Sequence, residues 1–164
     1  MSMIGYFIRV THEEPDSYLQ EPDLIERRID DPVFLQSAQH LDLEKSWDGI
    51  FFLLTGEGYG QSDHPLASVF CSGQYIDEEQ DLGYGPGQYL LPEQVVDLTR
   101  QIAVFTPDFL LSRYHPEQMK ALQIYPDIWE EEDAADYLFV YFAKLVRFFN
   151  EASSNGEAIV TFIA

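Results

Sequence analysis

Cysteine occurs once in this chain, at position 71, which excludes an internal disulfide and a cysteine-built metal centre. Bases are scarce: nine Lys and Arg face 29 Asp and Glu, for a formal charge of −20. A surface so negative repels the phosphates of nucleic acid and anionic lipid, so neither is expected as a partner. No apolar run approaches the ~20 residues of a membrane span. The opening Met1–Gly5 lacks the basic region and long apolar block of a signal peptide, and a cytoplasmic location is expected. Four scattered histidines form no i,i+4 pair and no H-E-x-x-H, so no metal ion is expected. There is no G-x-S-x-G elbow, and a cysteine nucleophile needs an electropositive setting that this chain hardly offers.

Aromatic residues are abundant. Twelve Phe, ten Tyr and two Trp in 164 residues supply ample core for one domain, residues 1–164, and argue against an acidic disordered chain. With no repeat and no linker, the pattern predicts an α+β fold: a small sheet that includes the N- and C-terminal strands, packed against several helices.

The stretch Leu41–Gly56 is the densest apolar segment of the first half. Asp42 reads as an N-cap. Leu43, Trp47, Ile50, Phe51 and Leu54 fall on one helix face, and Gly56 sits where a left-handed C-cap belongs. Gly49 inside this helix points to close packing of another backbone. Met3–Val10 and Ala158–Ile163 read as apolar strands, set side by side at the sheet centre. Between Thr11 and Asp31, prolines punctuate two short helices whose inner side is Tyr18, Leu19, Leu24, Ile25 and Ile29, with Arg27 and Arg28 in solvated ion pairs. Val33–Gln39 reads as another helical turn. A short strand is expected at Gln88–Leu91, then helices opened by Pro92, Pro107 and Pro116. The longest helix is expected from Glu130 to about Ser153, with its first acids facing the positive helix end.

Candidate chemistry is thin. The glycines of Gly56–Gly60 lack the preceding strand and following helix of a phosphate loop and read as a C-cap and turn. Asp63 reads as the cap of a short helix after Pro65. Asp42 and Lys45 are placed for a local ion pair, and Trp47 and Asp48 for one side of a groove. The aromatics Tyr59, Tyr75, Tyr84, Tyr89, Tyr125 and Trp129 come mostly from loops and element ends. Beside acids they suit a cationic ligand or a basic protein segment.

Taken in order, the opening M-I-G-Y-F, the L-D-L-E-K-S-W-D-G-I-F-F-L-L-T-G of Leu41–Gly56, the H-P-L of His64–Leu66, the Y-G-P-x-x-Y-L of Tyr84–Leu90, the I-Y-P-D-I-W of Ile124–Trp129 and the last strand resemble the YfbM-like family of bacterial proteins. The resemblance spans essentially the whole chain. It implies a compact α+β cytoplasmic domain and no activity, since the family's function is unknown. Relatives often carry histidine where Phe51 stands and arginine where Gln88 stands. A shared chemistry that used those groups would be missing here.

The reading favoured by charge and loops is a non-enzymatic, acidic protein-binding module, an inhibitor or neutraliser of a basic protein partner, without cofactor. The alternative is a small-molecule binder or enzyme with a pocket between the central helix and the Gly/Tyr loops. The candidate ligand or partner surface is Trp47, Asp48, Asp63, His64, Tyr84, Tyr89, Tyr125 and Trp129. No catalytic residue and no oligomeric state is assigned.

Overall fold

The two apolar termini find each other. In the computed structural model, which describes residues 1–164, β1 (Gly5–Val10) and β4 (Ala158–Ile163) pair antiparallel through six residue pairs, from Gly5–Ile163 to Val10–Ala158. β2 (His40–Asp42) adds to the outer side of β1, and β3 (Gln88–Leu90) to the outer side of β4. The result is a four-stranded antiparallel sheet in the order β2-β1-β4-β3. The central strands are nearly continuous in apolar residues because both sheet faces are covered.

Alternation along the strands sorts side chains into two cores. Phe7, Leu90 and Ile159 face the larger one. It is built by α4 (Trp47–Thr55), α5 (Pro92–Ile102), α6 (Pro107–Arg113), α7 (Pro116–Ala121) and α8 (Ala134–Ser154), with a 3₁₀ turn at Pro65–Val69. Ile8, Val10, Ala158 and Val160 face the smaller one, under α1 (Glu14–Gln20), α2 (Asp23–Ile29), α3 (Pro32–Leu35) and the loop that carries Ile76 and Leu82. The fold class is α+β, with the terminal strands at the sheet centre. No helix is long and apolar enough to cross a membrane.

Several local expectations are corrected. Asp42 does not cap the central helix. Residues 40–42 pair with β1 instead, and the Asp42 carboxylate accepts the Glu44 amide at 2.7 Å. A 3₁₀ turn at Glu44–Ser46 follows, so α4 starts only at Trp47. Lys45 forms no ion pair with Asp42; Glu44 turns instead toward Tyr137 and Tyr141. Nor does α4 bury one face: all nine of its residues are buried, because it runs between the sheet and the other helices. Gly56 closes it with φ 76°, its amide on the Phe52 carbonyl, a conformation that glycine adopts without the Cβ penalty.

The expected partner of Gly49 was a backbone, but a Cβ here would lie 2.6 Å from the Trp129 ring and 2.9 Å from Leu138. The acids Glu130–Asp133 precede α8, which begins at Ala134 and carries only Asp136 in its first turn. Tyr141 of α8 is half-buried, and Leu19 of α1, read as part of the inner side, is exposed. Arg27 pairs with Glu21 in solvent, whereas Arg28 is half-buried against Glu14 and lies over the Phe34 ring.

Candidate functional site

Four of the eight candidate residues meet at the start of α4. The first helical turn delivers Trp47 and Asp48 inward, and the connector before α8 delivers Tyr125 and Trp129 against them. Asp48 is 6% exposed. Its Oδ2 accepts the Tyr125 amide at 2.8 Å, while its Oδ1 has no hydrogen-bond partner. The Trp47 indole donates to the Met3 carbonyl at 3.0 Å, and the Met3 amide donates to the Tyr125 hydroxyl at 3.1 Å. The Trp129 indole donates to the Ile124 carbonyl at 2.9 Å. The Trp47 ring stands 5.1 Å from Tyr59 and 6.1 Å from Tyr125. The Tyr125–Pro126 bond is cis. These contacts clamp the N-terminus and the aromatic connector onto α4. Trp47 and Trp129 are 3% and 2% exposed, so neither offers a surface.

Asp48, Tyr59 and Cys71 are shifted in one direction. Burial raises Asp48 above the ordinary carboxylate range, against the amides of Tyr125 and Tyr59, which favour the charged form. Burial also raises Tyr59 and Cys71, whose side chains lie beside each other. Desolvation disfavours the charged forms, so at neutral pH the thiol and phenol stay protonated. Chemically this cluster satisfies buried amides and closes a core. Phe51 and Gln88 are likewise structural here: Phe51 is buried, and Gln88 Oε1 accepts the Gly73 amide at 2.9 Å.

The other four candidates lie elsewhere. His64, rather than Asp63, caps the 3₁₀ turn, because its Nδ1 accepts the Leu66 amide at 3.1 Å; this places the ring proton on Nε2. Asp63 is exposed beside it. Tyr84 is exposed at the end of β4, with its amide on the Ile163 carbonyl. Tyr89 lies on β3 opposite Val160 and packs on the smaller core. No hydrogen bond or ring contact joins His64 to Tyr84 or Tyr89. No three His, Cys, Asp or Glu side chains converge in metal-ligating geometry.

Two other surfaces stand out. On the side of α1 and α2, the Gln80 amide donates to the Pro22 carbonyl at 3.1 Å and to Glu26 at 2.9 Å. That link ties the acidic loop Asp77–Asp81 to acidic helices more than 50 residues earlier. Glu21, Asp23, Glu26, Glu78, Glu79 and Asp81 are all exposed there. On the other side of the sheet, α5 and α6 enclose an apolar groove with Arg100, Arg113 and His64 on its walls. The acid run was legible as charge, but its union with the second run was not. The groove left one trace in sequence, since Arg113 has no acid three or four positions away on its own helix. Tyr137 and Tyr141 also form an unforeseen pair, with rings 5.0 Å apart, both pushed up to about 12 by burial and Glu44.

A family described as a domain of unknown function, DUF1877, matches residues 1–162, and the chain belongs to it. No curated protein matches. Among solved structures, the crystal structure of YfbM, a protein of unknown function from Escherichia coli, is similar with a TM-score of 0.76 at 19% identity, over 98% of this chain and 99% of that one. That likeness is one of fold.

Proposed function

We propose that this protein is a cytoplasmic, non-enzymatic interaction module that binds a basic protein partner through its acidic layer, as an inhibitor or neutraliser would. The observation that carries this reading is the Gln80 link, which turns two acidic segments into one contiguous face. The bases of α2 do not cancel it: Arg27 pairs with Glu21 at 3.7 Å and Arg28 with Glu14 at 3.0 Å, which leaves the acids of the loop unpaired. Such a face accelerates encounter with a cationic surface and discriminates against anionic ones, and salt screens it. The protonated, packed Tyr59 and Cys71 support the non-enzymatic half of the reading.

The test is capture on the tagged chain from its host's lysate, at low and at moderate salt, beside a variant carrying Glu21→Gln, Asp23→Asn, Glu78→Gln and Glu79→Gln. The expected outcome is one basic protein, held by the wild type at low salt, weakened at higher salt and lost by the variant. Equal retention by both proteins, salt-independent retention or no retained protein would each overturn the reading.

A further inference from the structure

The groove between α5 and α6 has a volume of about 570 Å³. Leu54, Leu66, Val104, Phe105 and Phe109 give it an apolar bed, and Val104 and Phe109 are left 63% and 39% exposed. In a chain with 29 acids and nine bases, no carboxylate lines this groove, whereas Arg100 and Arg113 do. Neither arginine forms an ion pair. The nearby Asp97 is engaged by the Gln101 amide at 2.9 Å.

Arg113 is held in place: its Nε–H donates to the Leu53 carbonyl, and its guanidinium lies 5.9 Å and 5.8 Å from the rings of Phe105 and Phe109. Capping the end of α4 accounts for one of its five donors. It does not account for a second unpaired arginine on the same apolar bed.

We infer that this groove binds a small amphipathic monocarboxylate, its apolar body on Val104, Phe105 and Phe109 and its carboxylate toward Arg100 and Arg113. The volume falls within the roughly 300–1,000 Å³ of small-molecule sites. The global charge of −20 repels an anion in proportion to the anion's own charge, so a monoanion is admitted where an acidic protein segment or polyphosphate is opposed. The groove lies across the sheet from the acidic layer, and this proposal stands independently of that one.

Decanoate is the probe, titrated against the full chain by calorimetry and by amide NMR. Saturable binding is expected, with shifted amides at residues 64–66 and 100–113 and with decanol weaker by about fivefold or more. Arg100→Glu should weaken decanoate by about tenfold and leave decanol unchanged. Val104→Trp should block both at an unchanged melting temperature. The proposal is overturned by absence of saturable binding, by equal affinity for decanol, or by full affinity in the Arg100→Glu protein. It is also overturned by self-association that Val104→Glu abolishes, which would assign the groove to a second copy of the chain.

Discussion

The two faces of one sheet are covered in opposite ways. Toward α4, α5 and α8, the strands meet helices of 9, 11 and 21 residues and join a core of 28 buried residues. Toward α1, α2 and α3, they meet helices of 7, 7 and 4 residues over a core of ten. Helices shorter than about 12 residues are marginal without tertiary support. The thin layer therefore rests on a few anchors, chiefly Tyr18, Ile25 and Phe34. Yet it carries a dense share of the exposed acids, whose mutual repulsion loosens it further. Burial is concentrated on one face and charge on the other, so the acidic face is also the one expected to open most easily.

Trp129→Ala probes the thick face at its tightest point. The ring fills the space that Gly49 leaves, is 2% exposed, and anchors the connector by its bond to Ile124. A loss of about 3–5 kcal/mol is expected, read as a lower urea midpoint at unchanged slope. A loss under about 1 kcal/mol would mean that the connector is not part of the main core and would dissolve the contrast.

Ile25→Ala probes the thin face. Ile25 is fully buried among Ile8, Tyr18 and their neighbours, and its truncation should cost about 2–4 kcal/mol. The location of the effect matters more than its size. Native-state hydrogen exchange should quicken in α1–α3 well beyond its change in α8, and added salt should slow it again by screening the acids. Uniform acceleration across both layers would show that the two faces open as one unit.

Much of this architecture is visible in the residues. The periodic stripe Val95, Leu98, Thr99, Ile102 of α5 is buried as the 3.6-residue period demands, and Gly56 ends α4 where its lack of a Cβ is needed. What pattern could not reveal depends on partners far away in sequence. Residues 40–42 read as the prelude to a helix because their strand identity comes from β1, some 35 residues earlier. A buried α4 and an amphipathic one share the same first-half pattern until the covering Trp129 is placed. The candidate residues divide for the same reason. Trp47, Asp48, Tyr125 and Trp129 are joined by contacts between segments about 77 residues apart. Asp63, His64 and Tyr84, which look similar as loop residues, remain outside that cluster. Composition reports that aromatics and acids exist; only the fold determines whether an aromatic is core or surface.

Asp48 sharpens the comparison most finely, because it is the one buried acid among the 29. Burial raises its carboxyl above the ordinary value. Between that ordinary value and the raised one, the folded chain holds a proton that the unfolded chain has released, so acidification through this window favours the fold. Above the window, the buried charge costs stability. Asp48→Asn keeps an oxygen for the Tyr125 amide and removes the titration, while all other acids remain as a common background. From about pH 7 to about pH 4, the stability gap should move toward the wild type, by ~1.4 kcal/mol for each unit of upward shift. Chemical denaturation of both proteins at several pH values measures it. Movement toward the variant instead would mean that the amides of Tyr125 and Tyr59 outweigh burial. Asp48 would then be a stabilised carboxylate, as an N-terminal helix position favours, and the thick face would hold a negative charge of its own.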